Sequence, residues 1–247
     1  MEHKDYFSGH SHLYATFRPV YPQAIYEFIY RHLNGRDSAW DCATGNGQVA
    51  RELAKHFNQV WATDISTQQL EHAHQGVNIH YSVSSAEKTT FPDHQFDLIT
   101  VAQALHWFKF DDFYKEVNRT SKSNALLAVW SYALCKVDTR VDELYLHFYH
   151  DVVGPYWDSV RKFVENEYRD IPFPYKRIDT PKFFIEVNWS LVDFLGYVST
   201  WSATQKFIKE KRYDPINNLS YDIEKCWSRS EKKKVTFPIT SFLGWVR

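Results

Sequence analysis

Cysteine is scarce in this chain. Cys42, Cys135 and Cys226 are the only three among 247 residues, and no two stand in a C-x-x-C, so the sequence offers neither a disulfide framework nor a zinc site. No run of 18 apolar residues is present, which leaves no candidate membrane span. Neither sign of charge dominates: 29 Lys and Arg stand against 30 Asp and Glu, with a sequence pI near 6.9, and no polyanion partner is implied. The opening residues, MEHKDYFSGHSHLY, lack the basic-then-apolar layout of a secretion signal. The expectation is a soluble, cytoplasmic protein, monomer or homodimer, with no nucleic-acid or membrane partner.

What is present alternates. Pro22 opens a helical pattern that places Ile25, Phe28, Ile29 and Leu33 on one face. A short apolar strand, 38–43, runs into a glycine loop and then a helix carrying Val49, Leu53 and Phe57. QVWATD ends a second strand at Asp64, and Ser66 with Gln69 reads as an S-x-x-Q capping box. Strands follow at 78–83, 96–102 and 125–132, with a helix over 111–119. Such alternation predicts a mainly parallel sheet covered by helices on both faces. Beyond residue 133 the rhythm changes: helices over 138–170, a strand at 183–189, a helix over 191–208, a short one over 220–229, and a terminal strand that Pro238 marks as an edge or a bulge. With 44% hydrophobic residues, one elaborated domain spanning 1–247 is expected. Its parts are an arm and helix (1–35), a cofactor-binding core (36–132), a substrate-cap insertion (133–182) and carboxyl-terminal strands and helices (183–247).

In an open parallel sheet, ligands sit beyond the carboxyl ends of the strands at the switch point. The tip of the first strand carries Asp41, Gly45 and Gly47. G-N-G-Q-V-A also satisfies a G-x-G-x-x-A dinucleotide fingerprint, with Asp64 at the next strand end to take a ribose. NAD and S-adenosylmethionine both fit that pattern. Asp41 favours the second, because a carboxylate at the loop entrance repels a pyrophosphate and accepts hydrogen bonds from a cationic amino acid group.

DCATGNG resembles the D-L-G-C-G-T-G motif of class I S-adenosylmethionine-dependent methyltransferases, with Ala43 in place of the first glycine. VWATDIS and SSAEKTTF resemble that family's second strand and adenine-facing loop. FDLITVAQALHWF and FRPVYP are most similar to the small-molecule branch that includes trans-aconitate methyltransferase, and TSFLGWVR to the seventh, antiparallel strand. The resemblance implies an α/β, Rossmann-like fold with a seven-stranded, mainly parallel sheet. It also implies that Asp41, Ala43, Gly45 and Gly47 surround the methionine part of the cofactor, and that Asp64 and Ile65 hold ribose and adenine. Ala86 and Glu87 would close the adenine side, Gln103 would approach from the fourth strand, and Tyr14 and Arg18 would cover the cofactor carboxylate. No N-P-P-Y or D-P-P-Y follows the fourth strand, which argues against the branches that methylate adenine or glutamine nitrogen.

A sulfonium methyl is already activated, so such an enzyme chiefly aligns nucleophile, carbon and leaving sulfur in a dry pocket. Aromatic residues crowd the carboxyl-terminal half, as an aromatic-rich helical cap over a small-molecule substrate would require, and Trp107, Trp130 and Trp157 are the candidate substrate contacts. His106 is the candidate catalytic group, as a base or as a neutral shaper of the pocket. A carboxylate acceptor would need a cation such as Arg18, Arg140 or Arg161. The pairs His10 and His12, His72 and His74, and His147 and His150 have no third ligand, and no metal is expected. The leading expectation is O-methylation of a small-molecule carboxylate or hydroxyl. An NAD-dependent oxidoreductase and a non-catalytic Rossmann-like binding module stay open beside it.

Overall fold

A computed structural model describes residues 17–246. Helix α1 (Gln23–Arg31) precedes strand β1 (Ser38–Cys42), which feeds α2 (Gln48–Leu53). Then come β2 (Gln59–Asp64), α3 (Thr67–Glu71), β3 (Ile79–Val83), β4 (Phe96–Ala102), a 3-10 turn at Leu105–Trp107, α4 (Phe110–Thr120) and β5 (Ser121–Tyr132). The second half holds α5 (Thr139–His147), α6 (Arg161–Glu165), β6 (Arg177–Ile178), β7 (Phe183–Ser190), α7 (Leu191–Ser199), α8 (Ser202–Lys211), α9 (Ile216–Ile223) and β8 (Lys232–Trp245).

The sheet runs in the order β3-β2-β1-β4-β5-β8-β6, with β7 also paired to β8. The first five strands are parallel; β8 is antiparallel to β5, β6 and β7. The α/β, Rossmann-like architecture expected from the alternation is therefore present, with eight strands in place of seven. The extra one arises because β8 is long enough to pair β7 along its first half and β6 near its end. Period-two alternation in β5 sends Leu126, Ala128 and Trp130 into the core shared with α1 and α2, and Leu127 and Val129 into the core shared with α4.

Three expectations about elements are corrected. β5 starts at Ser121, not 125, because Ser121 already pairs Phe96; a register shift with left-handed Asn124 (φ 61°) absorbs the interruption. The helix over 191–208 is two helices, since Trp201 turns extended (ψ 137°) and the Thr200 hydroxyl donates to the Tyr197 carbonyl at 2.6 Å. The short helix lies at 216–223, where Asp214 accepts the Ile216 amide at 2.9 Å. Pro238 sits inside β8, opposite Phe184 of β7 and at the point where the pairing with β5 ends. Its carbonyl accepts the Ala133 amide (3.0 Å) as the chain leaves β5, so the missing N–H falls where the ladder stops.

Candidate active site

The strand order reverses between β1 and β4, and a cavity of about 840 Å³ opens at the carboxyl ends of β1, β2 and β4. β1 contributes the tightest backbone. Ala43 (φ 55°), Gly45 (φ 56°) and Gly47 (φ 78°) are all left-handed, so the chain makes two sharp reversals before α2 begins. Ala43 adopts this conformation without glycine's freedom, at a cost of about 1–3 kcal/mol. Ala43 and Gly45 line the cavity. Gly47 does not; it caps α2 beneath Tyr81, whose hydroxyl a side chain at 47 would meet at 2.3 Å.

Asp41 is buried, and its carboxylate braces the loop: Oδ1 accepts the Thr100 hydroxyl at 2.8 Å, while Oδ2 accepts the Thr44 hydroxyl and the Ala50 amide (3.0 Å). Burial pushes its pKa up to about 6 against these lowering bonds, and no Lys or Arg among the described residues pairs with it. A cationic ligand group beside it would supply the missing compensation. At the tip of β2, Asp64 Oδ2 accepts the Gly45 amide (2.8 Å) and Oδ1 the Ser66 amide (2.9 Å). Only the Ser66 half of the expected capping box therefore forms: Ser66 Oγ accepts the Gln69 amide at 3.3 Å, and the Gln69 side chain lines the cavity. Sequence reading missed Gln69 as a site residue because the capping explanation absorbed it.

Ile65, Ala86 and Glu87 close one side of the cavity. Their loop is pinned from below by Glu116, which accepts the Thr89 amide at 2.8 Å and an Arg119 guanidinium nitrogen at 2.6 Å. Glu87 also accepts the Lys109 amide at 3.0 Å, tying this loop to the start of α4.

Opposite lie the β4 tip and the arm. Gln103 is left-handed (φ 58°) and lines the cavity, but its side-chain amide is turned to β5: Oε1 accepts the Tyr132 amide (2.8 Å) and the Ser131 hydroxyl (2.9 Å), and Nε2 donates to the Tyr132 carbonyl (3.2 Å). Arg18 donates to the Tyr132 hydroxyl at 2.7 Å and the Thr200 carbonyl at 3.3 Å, and lies 5.4 Å from the Tyr197 ring centre. Tyr14 lies outside the described residues.

His106 and Trp107 also line the cavity. His106 Nδ1 is bonded to the buried Tyr168 hydroxyl at 2.7 Å, so whichever atom holds the proton in that bond, only Nε2 is left for a ligand. Burial, and then the positive charge of Arg161, hold its pKa down to about 3. Tyr168 itself is left-handed (φ 58°) directly after left-handed Glu167 (φ 53°), a strained turn that delivers its phenol to His106. No sequence pattern announced that pair.

Beyond His106 and Trp107 a smaller cavity of about 60 Å³ continues, lined by Arg161, Trp157, Tyr197 and Trp201. Trp157 is thus brought to the end of the site. Trp130 is not: it is wholly buried, edge-on to Tyr21 (5.5 Å) and Tyr26 (6.1 Å), because its place in β5 faces the α1 side of the sheet. The expectation that it touches substrate is corrected to a core role. Of the three candidate arginines, Arg18 and Arg161 line the site, whereas Arg140 is exposed on the first turn of α5. Among the described residues no group of three His, Cys, Asp or Glu could hold a metal ion, and no helix is long and apolar enough to cross a membrane.

A left-handed glycine loop, a buried carboxylate with no Lys or Arg beside it among the described residues, and an acid at the next strand tip together suit a ligand with a cationic amino acid group and a ribose. Comparison with known proteins agrees. Residues 40–129 match the family described as methyltransferase domain. A Dictyostelium discoideum protein named as a methyltransferase is 34% identical over 97% of this chain and 94% of its own length. A solved type II methyltransferase from Anaeromyxobacter dehalogenans is 33% identical, covers 93% of this chain and 98% of its own, and superposes with a TM-score of 0.85. A ubiquinone/menaquinone biosynthesis C-methyltransferase of Neisseria gonorrhoeae is 32% identical over a shorter stretch, 41% of this chain and 45% of its own length. The chain belongs to the class I S-adenosylmethionine-dependent methyltransferases. It is an enzyme whose cofactor is S-adenosylmethionine, and the NAD alternative falls away.

Proposed function

We propose that the methyl acceptor is a small molecule and that the methyl group goes to oxygen, on a carboxylate or hydroxyl. The observation that carries this reading is the composition of the cavity's far end. Past the glycine loop, the walls become Arg18, His106, Trp107 and the 158–163 segment, a concave, aromatic and cationic surface narrowing to a small side cavity, which suits a small oxygen-bearing molecule. The insertion over 133–182 supplies part of that surface through Asp158, Val160 and Phe163.

S-adenosylmethionine, when bound, supplies a methyl group activated by the sulfonium. Asp41 and the loop from Ala43 to Gly45 would hold its amino acid part, Asp64 its ribose, and Ile65, Ala86 and Glu87 its adenine. Trp107 and the neighbouring aromatic faces exclude water and offer negative ring faces to a cation. Arg18, which lines the cofactor cavity, orients an oxygen nucleophile. An ionised carboxylate needs no base, which accords with a His106 kept neutral by its surroundings.

The test is incubation of the purified protein with methyl-labelled cofactor and a metabolite extract, followed by mass spectrometry. A labelled small product whose methyl is released as methanol by mild base identifies an ester; one resistant to base whose labelled carbon resonates in the methoxy range of the carbon NMR spectrum identifies an ether. Label found only on carbon, on nitrogen or on macromolecules would remove the proposal.

A further inference from the structure

Arg161 stands apart from the other cations of the site. Its Nε donates to the Tyr149 hydroxyl at 2.8 Å, and that hydroxyl in turn donates to Glu165. Its guanidinium carbon lies 4.7 Å from the centre of the Trp157 ring and 5.6 Å from that of Tyr149. Both terminal nitrogens lack a hydrogen-bond partner among the described residues, and no carboxylate there pairs with the group directly. Asp158, which shares the small cavity, is already paired with Lys206 at 2.6 Å. A half-buried guanidinium resting against the adjoining Trp157 and Tyr149 rings, with both terminal nitrogens unpartnered among the described residues and its side chain lining a cavity, is arranged to receive a planar two-oxygen anion.

The small cavity lies off the cofactor wall. Arg161, Trp157, Tyr197 and Trp201 line it and do not line the larger one, while Arg18, Gln103, His106 and Trp107 line both and form the throat between them. At about 60 Å³ it has room for a headgroup and not for a whole acceptor, whose body must pass the throat toward the cofactor.

We propose that this side cavity is a carboxylate subsite of the acceptor and that Arg161 is its specificity-determining residue, with Trp157 supporting the guanidinium. The proposal rests on the small-molecule reading above and names its substrate class: a carboxylic acid whose apolar or aromatic body carries, at its far end, the oxygen that is methylated. Other sources of a planar anion are few, whereas a phosphate monoester is tetrahedral, bulkier and doubly charged.

The test is calorimetric titration of the protein saturated with S-adenosylhomocysteine, using a panel of arylalkanoic and alkanoic acids, each paired with its primary amide and with a phosphate monoester of similar length. We expect at least one acid to bind about ten-fold or more tightly than its amide and its phosphate partner. Arg161→Gln should reduce that preference to less than about two-fold, and Arg161→Lys should restore part of it, the affinity for S-adenosylhomocysteine staying the same in all three. Equal binding of acids and amides, binding of neither, a preference for phosphates, or an acid preference that survives Arg161→Gln would overturn the subsite. The wild-type comparison of acid with amide needs no variant, so it tests the subsite even where Arg161→Gln misfolds. Failure of S-adenosylhomocysteine itself to bind would count instead against the reading of the whole site.

Discussion

One carboxylate, Asp64, holds the Gly45 amide on its Oδ2 at 2.8 Å and the Ser66 amide on its Oδ1 at 2.9 Å. The tip of β2 therefore fixes both the glycine loop of β1 and the entry to α3, on which the proposed position of the cofactor depends. Asp64→Ala is expected to weaken S-adenosylhomocysteine binding by roughly 1–3 kcal/mol, the scale of leaving buried donors unpaired. Titration calorimetry checks this; a folded variant with unaltered affinity would show that Asp64 does not serve the cofactor.

The two loop glycines should fail in different ways. A Cβ at Gly45 would stand in the cavity, with Gln69 Oε1 at 3.9 Å as its nearest neighbour, whereas one at Gly47 would strike the Tyr81 hydroxyl at 2.3 Å. Gly45→Val is expected to abolish cofactor binding while the sheet stays folded. Gly47→Ala should instead cost about 1–3 kcal/mol of stability, since a clash is added to a left-handed backbone. Tyr81→Phe in the Gly47→Ala background should recover part of that loss. Thermal unfolding beside calorimetry separates the two cases, and equal effects on both readouts for both glycines would contradict it.

Asp41 and His106 should tilt stability with pH in opposite directions. Burial raises Asp41 from 3.8 to about 6, so the folded protein binds this proton more tightly than the unfolded chain does, and Asp41 contributes more stability as pH falls from about 6 toward 4. His106, held down to about 3 from 6.5, contributes stability that is present above pH 6.5 and is lost on the way down to about 3. Between pH 7 and pH 5, His106→Asn should therefore gain roughly 2 kcal/mol on the wild type. Between pH 7 and pH 4.5, Asp41→Asn should lose about 2 kcal/mol on it. Urea denaturation at each pH measures both differences. A cofactor ammonium next to Asp41 would also lower its pKa, so binding near pH 5.5 should release protons, visible as a dependence of binding heat on buffer.

What could be read from the chain was what local pattern encodes. The bounds of β2 and β4 follow from their apolar runs, and the loop after β1 from its glycines and acid. Gln69 was hidden by a second valid explanation, and Trp130 by the alternation of β5, which gives each residue of a run an equal claim on either face. The pairing of His106 with Tyr168, 62 positions apart, and the stacking of Arg161 on Trp157 depend on tertiary packing and on a strained turn at Glu167 and Tyr168. Composition carries no trace of either.

The last expectation concerns whether His106 moves a proton. An imidazole with a pKa of about 3 is a poor proton acceptor at neutral pH, and its Nδ1 is already committed to Tyr168 at 2.7 Å. General bases that work near neutrality are poised close to it, and their removal costs about 100-fold or more in rate. On the proposed subsite, His106 would instead present Nε2 as a fixed, uncharged contact at the throat, where the acceptor would pass between Arg18 and Trp107. With an acceptor identified from labelled extract, His106→Asn should lower the single-turnover methyl-transfer rate by less than about 10-fold and act mainly on the acceptor's KM. Tyr168→Phe should give a weaker version of the same change, because it frees the ring without removing it. A loss of about 100-fold or more in His106→Asn, together with disappearance of a limb near pH 6 to 7 from the wild-type profile, would make His106 the base after all and would favour a hydroxyl over a carboxylate as the methylated group.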